Sequence, residues 1–259
     1  MKSALTGRIP GLQRQRVRLG LIIISFILYP VTFAYLSCPI ITEAAGLGIV
    51  TGGLVMFILL FLSSLVVARL WCGWLCPSGG LQELLRFVTD PRLRTTKMDW
   101  LKYLVFLGIF GGIGYAIWSA GGVSSIDLFY RTEHGISVLA AGGVAALLGP
   151  VIIILIFTLL FGRRGFCHTF CPIAPSLVIG RKIRNLFHWP ALGLSADSGR
   201  CIDCGECSAG CPMSLDVNSM VRKDEMEQTE CILCGECADT CPKGVISYGW
   251  KANEKREVS

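Results

Sequence analysis

The segment Cys201–Pro212, CIDCGECSAGCP, returns as Cys231–Pro242, CILCGECADTCP. In each copy three cysteines stand with two residues between neighbours, and a fourth follows after three more, directly before proline. Outward from this pair the chain changes character. Residues 195–250 hold eight of the thirteen cysteines and no membrane-length apolar run, whereas residues 19–161 contain four long apolar runs. The 259-residue chain is 53% hydrophobic and only 16% charged, with a mean hydropathy of +0.59. Ordinary soluble domains carry about 25% charged residues, so this composition argues against a purely soluble globular protein and against disorder. A chain of this length needs no staples to hold a core, so the cysteines require a chemical reason.

That reason lies in the spacing. Short spacers curl three thiolates around one face of a cubane, and the turn at proline carries the fourth to a second cubane, as in the bacterial ferredoxin run. Cys201, Cys204, Cys207 and Cys241 are therefore expected around one [4Fe–4S] cluster, and Cys231, Cys234, Cys237 and Cys211 around another. Gly205 and Gly235 let backbone amides approach the sulfurs. Zinc sites favour two well-separated Cys-x2-Cys pairs, and a cytoplasmic location disfavours disulfides. Residues 195–250 thus read as an α+β, 2[4Fe–4S] ferredoxin-like head, followed by a tail at 251–259.

The apolar runs are Leu19–Leu36, Gly46–Leu70, Leu101–Trp118 and Val138–Phe161. A bilayer takes about 20 helical residues, so four transmembrane helices are expected. Arg69 and Lys102 sit at run ends, where long side chains snorkel to headgroups. Lys2, Arg8, Arg14, Arg16 and Arg18 precede the first run; Arg86, Arg92, Arg94 and Lys97 follow the second; Arg163 and Arg164 follow the fourth. The opposite loops, about 37–45 and 119–137, hold only Arg131. The bias places both termini and the head in the cytoplasm of a bacterial or archaeal cell, at its cytoplasmic membrane. Tyr35-Leu36-Ser37-Cys38 is a poor lipoprotein box, and Pro39 argues against processing, so the first run is expected to remain as an anchor.

The membrane region is duplicated. After a basic N-terminus at 1–18, residues 19–99 and 100–194 each read as two spans, a Cys-x3-Cys-Pro motif and an amphipathic stretch at the cytoplasmic interface. The motifs are Cys72, Cys76, Pro77 and Cys167, Cys171, Pro172. On a continuing helix the paired cysteines share one face. Four thiolates converging across a pseudo-two-fold axis would hold a third [4Fe–4S] cluster; a redox-active thiol or disulfide pair is the other reading, and both stay open. Cys38, the thirteenth, reads as a packing residue.

Proton chemistry has three candidates: His134 and Glu133 in an outer loop, and His168 inside the second motif. For the first two, a solvated polar loop is the plainer reading. His188, beside Trp189, reads as an interface anchor. No pair of histidines within the apolar runs suits a b-type haem, and no Cys-x-x-Cys-His attaches a c-type one.

Four spans, two Cys-x3-Cys-Pro motifs and two C-terminal ferredoxin motifs together resemble the NapH-type membrane ferredoxins, with related modules in NosR-type and CcoG-type proteins. The resemblance covers nearly the whole chain, and only the cysteines and following prolines carry over. It implies a quinol dehydrogenase component that oxidises menaquinol or ubiquinol and passes electrons toward a periplasmic reductase system. The partners it implies are a multi-cluster ferredoxin, a c-type cytochrome or a terminal reductase, within a hetero-oligomeric complex. The flavin-binding domain of NosR-type proteins and the extra C-terminal domain of CcoG-type proteins have no counterpart in this sequence, which ranks NapH-type first. A function of another class is a redox accessory or maturation factor for a membrane enzyme; a third is a structural anchor whose clusters only stabilise the head.

The net charge of +6 divides in two. Residues 1–194 carry 17 basic and 6 acidic groups; residues 195–250 carry 4 and 10. The basic part follows membrane topology and implies lipid contact, not nucleic acid. The acidic head is suited to docking a basic redox partner.

Overall fold

A computed structural model describes residues 10–88, 90–93, 98–134, 136–137 and 143–251. Lys2, Arg8, Arg94, Lys97, residues 138–142 of the fourth apolar run and the tail from 252 lie outside the described residues.

The first apolar run is not one straight helix. Helix α1 (Pro10–Ile27) gives way at Leu28 to α2 (Tyr29–Leu36), and the two are bent by 77°. Pro30 explains the break, since its ring cannot continue the ladder of α1 but suits the first turn of a new helix. The stretch expected as an outer loop at 37–45 is instead α3 (Cys38–Gly46), opened by Pro39 in its first turn. Ile41, Ala44 and Ala45 of α3 are buried, and α3 packs against the helix Leu101–Ser119.

The second run is shortened at its start. Residues Ile49–Thr51 form β1, and α4 (Gly52–Val67) begins only after Thr51, whose side chain accepts from the Leu54 N–H at 3.3 Å. Then come α5 (Leu70–Trp74), carrying Cys72, and α6 (Pro77–Leu85). The third run is α7 (Leu101–Ser119). Short strands β2 (Ser125–Asp127), β3 (Thr132–Glu133) and β4 (Ile136–Ser137) follow; β2 pairs parallel with β1, and β3 antiparallel with β4. The second repeat continues with α8 (Gly143–Phe161), α9 (Gly165–Thr169), carrying Cys167, and α10 (Ile173–Phe187).

Among the described residues, α7 alone is long and apolar enough to cross a membrane, or two spans qualify if bent α1–α2 counts as one; α4 and the Leu147–Phe161 part of α8 are shorter apolar helices. The repeats interlock. Helix α10 packs on α4, and α6 packs on α8, so each repeat's last helix lies on the other's apolar helix. The α4–α10 approach depends on Gly180, where an added Cβ would sit 1.9 Å from Ser64 Oγ.

The head closes with β5 (Ala191–Ala196) paired antiparallel to β6 (Ile246–Lys251), from Ala191↔Lys251 to Ala196↔Ile246. Strand β5 begins at Ala191, before the 195 boundary that composition gives the head. Helices α11 (Glu206–Gly210), α12 (Val217–Arg222) and α13 (Glu236–Thr240) lie between the strands. Both α11 and α13 start from a glycine in the left-handed region, Gly205 (φ 74°) and Gly235 (φ 75°). One apolar core runs through stem and head, joining Phe57, Leu60 and Ile113 to Met213, Val221 and Ile232.

Candidate functional site

The head holds two cysteine-lined cavities. One is lined by Cys231, Cys234 and Cys237 and, from the other copy, by Cys211. The second is lined by Cys201, Cys204 and Cys207 together with Cys241. Each remote cysteine therefore stands with the other copy's triplet. The lining between them is apolar, with Met213, Met220, Met226 and Ile232 at the first cavity and Val221, Val245 and Ile246 at the second. Among the described residues no three His, Cys, Asp or Glu side chains converge on a single-ion site.

The chemistry of the donors fits an anionic, sulfur-rich cluster. Backbone N–H groups of Leu233 and Glu236 point at Cys231 and Cys234, and those of Leu215 and Met213 at Cys211. Such donors stabilise negative sulfur. Burial nonetheless pushes the Cys231 thiol up to about 11 and Cys234 up to about 12. Thiols so placed ionise only when a metal centre replaces their protons. The second cavity opens to solvent, since Cys204 and Ile202 beside it are exposed.

The four stem cysteines form a third group. Cys72, Cys167 and Cys171 are buried, and Cys76 lies close enough to feel the charge of Cys72 and Cys167. Cys171 in turn feels Cys167, Cys76 and Cys72. Gln82 Nε2 donates to Cys167 Sγ at 3.2 Å. Burial first, then the neighbouring thiols, pushes Cys76 up to about 12 and raises Cys171 as well. Reactive cysteines are accessible; Cys72, Cys167 and Cys171 are buried, which favours a metal centre over thiol exchange.

Two residues beside this group have a role that the sequence did not suggest. Arg69 and Arg164, both buried, stand three positions before Cys72 and Cys167. Arg69 does not snorkel to headgroups: its guanidinium pairs with Glu230 and faces Cys72, Cys167 and Cys171. Lys102 likewise is buried, and its Nζ lies 2.7 Å from Glu230 Oε1. Arg164 donates to the Cys72 carbonyl at 2.8 Å and to Glu83 at 2.8 Å. The missed signal was the shared pattern Arg-x2-Cys-x3-Cys-Pro in both repeats.

The acidic head rests on the basic stem. Arg14 pairs with Asp239, Arg18 and Arg86 with Glu236, Arg69 and Lys102 with Glu230, and Arg181 and Arg184 with Glu227. Arg181 and Arg184, in the second amphipathic stretch, are thus buried against the head. Both motifs also touch the backbone of residues in or beside the wall of the first cavity. An added Cβ on Gly73 would lie 2.4 Å from the Ile232 carbonyl, and Trp74 Nε1 donates to the Leu233 carbonyl at 3.1 Å. From the other repeat, His168 Nε2 lies 3.2 Å from the Met213 carbonyl. His168 is buried, with its Nδ1 3.8 Å from Asp99 Oδ1.

Burial raises Glu230, but Arg69 and Lys102 outweigh it and bring the carboxyl down to about 2. A depressed carboxylate stabilises at every pH above its unfolded value, about 4.3, and the contribution disappears as pH falls through the folded value. The head–stem contact is therefore expected to keep this contribution from about pH 8 to about 5 and to lose it between about 4 and 2. Hydrogen exchange at Glu227–Glu230 reads this directly. Loosening that starts near neutral pH would contradict it.

Glu133 ends β3 and His134 follows it, both exposed and away from the cysteines. His188 is exposed and ends α10 in the left-handed region, while Trp189 Nε1 donates to the Leu65 carbonyl at 3.0 Å. Cys38 packs against the shared core, and its burial pushes it up to about 11.

A family model described as a 4Fe-4S binding domain matches twice, over residues 49–95 and 143–190, once for each Cys-x3-Cys-Pro motif. A second, described as a 4Fe-4S dicluster domain, matches residues 200–246. The chain carries 4Fe-4S binding modules. It is 28% identical to YccM of Escherichia coli, a protein named for electron transport, over 68% of this chain and 49% of YccM. It is 29% identical to the regulatory protein NosR of Pseudomonas aeruginosa over 54% of this chain and 20% of NosR. With NirI of Paracoccus denitrificans it shares 28% identity over 54% of this chain and 21% of NirI. The aligned part spans about half the length of YccM and about a fifth of NosR and NirI. No solved structure matches the chain.

Proposed function

We propose that this chain is a membrane-embedded electron-transfer subunit of the NapH type, taking electrons from menaquinol or ubiquinol. The observation that carries the reading is the contact of both stem motifs with the backbone around the first head cavity, through Gly73 and Trp74 at Ile232 and Leu233 and through His168 at Met213. Three cysteine groups then form one series from the stem, through the Cys231 cavity, to the solvent-facing Cys201 cavity. The ligand sets are Cys72, Cys76, Cys167 and Cys171; Cys231, Cys234, Cys237 and Cys211; and Cys201, Cys204, Cys207 and Cys241. Clusters bound there supply one-electron carriers whose potentials respond to hydrogen bonds, charge and exposure. The chain's own residues fix their spacing, exclude water with methionine and isoleucine side chains, and aim amide N–H groups at sulfur.

The four-span reading belongs to this proposal. Helices α1, α4, α7 and α8 leave large apolar side chains exposed, among them Ile27, Leu59, Leu107 and Leu160 at 50–70%, a surface that water penalises and lipid accepts. With the basic residues gathered on the head side, the head faces the cytoplasm of a bacterial or archaeal cell, and the onward partner is a redox protein. A second reading, an accessory redox factor, is favoured by the similarity to a protein named as regulatory. Membranes containing the protein, given a menaquinol analogue without oxygen, are expected to show bleaching of cluster absorbance. If neither menaquinol nor ubiquinol analogues change the cluster signal, with a terminal acceptor system present or absent, the dehydrogenase reading fails and the accessory one stands.

A further inference from the structure

We propose that Arg69 and Arg164 are positioning residues that hold and tune an anionic centre among the four stem cysteines, as an internal pair of fixed positive charges. The inference rests on reading those cysteines as a [4Fe–4S] site and goes beyond it by naming what sets the potential there.

The two arginines occupy matching places in the repeats, and neither side chain meets solvent beyond 2%. Arginine does not deprotonate in proteins, so burial cannot neutralise either one. Their donors are incompletely used: Arg69 Nε and Nη2 and Arg164 Nε are buried without a hydrogen-bond partner. Buried unpartnered charged donors cost several kcal/mol at order of magnitude and persist where something else receives them. The groups facing them are the thiols, with Arg69 beside Cys72, Cys167 and Cys171 and Arg164 beside Cys167 and Cys76.

The surrounding charges leave an imbalance of the right sign. The network around Arg164 also contains Arg18, Arg86 and Arg163, against the carboxylates Glu83, Glu236 and Asp90. Arg69 and Lys102 share the single carboxylate Glu230. Each network thus keeps one positive charge in excess. A dicationic cubane core ringed by four thiolates is a dianion when oxidised and a trianion after one electron enters. The excess matches the oxidised state and favours the electron, so these arginines raise the midpoint potential.

The test is an EPR-monitored redox titration of the purified full-length protein, comparing Arg69→Gln and Arg164→Gln with Arg69→Lys and Arg164→Lys. Each Gln variant is expected to keep its stem irons and lower the stem midpoint by at least a ten-fold change in the reduced-to-oxidised ratio, 59 mV for one electron, with the second-cavity cluster unmoved. The Lys variants are expected to stay near the wild type. Loss of stem irons in a Gln variant that Lys restores supports the same charge role; loss that Lys does not restore overturns it. An unchanged midpoint at full iron content also overturns it, while the cluster reading survives. A wild-type protein with only the head irons defeats both.

Discussion

With Cys76→Ser and Cys171→Ser combined, reduction of the head clusters by a quinol analogue is expected to fall to background, while dithionite still reduces them fully. The prediction follows from the series of sites. The head cavities draw their cysteines from residues 201–241 alone and stay complete in the variant. The stem group loses two of four ligands, one from each repeat, so neither motif can compensate for the other. Freeze-quenched EPR after quinol and after dithionite separates the two donors. Undiminished quinol-driven reduction in the double variant would remove the stem from the electron path.

Glu83→Gln is expected to be the most destabilising single change in the stem, costing about 3–5 kcal/mol, the range for breaking a buried ion pair by removing one partner. The Glu83 side chain is only 3% exposed and is engaged by Arg18, Arg86 and Arg164 at 2.8–3.1 Å. Burial raises its pKa, but Arg164, Arg18 and Arg86 together hold it far below the usual carboxylate range. A neutral amide leaves three guanidiniums facing one another beside Cys72. Thermal unfolding in detergent measures the loss, and Arg163→Gln, at the periphery of the same network, serves as the milder control. A Glu83→Gln protein as stable as the wild type would mean that the network does not organise the stem.

How much of this was legible in the sequence follows the range of the interactions. Short spacers fix which thiols share a face, and the two head cavities gather the cysteines in the groups that those spacers suggest. The duplication was readable because each unit repeats its own pattern. What escaped was long-range. Nothing local says that Glu230 comes to Arg69, or that Arg181 reaches Glu227, because those contacts join segments far apart in the chain. An end-of-run arginine reads as a snorkelling side chain until its carboxylate arrives from the head. Likewise Gly46–Leu70 reads as one apolar run, since apolarity alone cannot reveal that Ile49–Thr51 pairs with Ser125–Asp127. The bend after Leu28 was marked by Pro30, and its 77° angle depends on packing. The charge split between acidic and basic halves was visible, but its first use is internal: the head meets its own stem.

The most direct measurement is iron and acid-labile sulfide per chain in protein purified without oxygen. Three cluster sites predict about twelve of each, falling to about eight in Cys76→Ser/Cys171→Ser. A wild-type value of about eight, unchanged by that double substitution, would leave the stem without a cluster and contradict the continuous path from quinol to head.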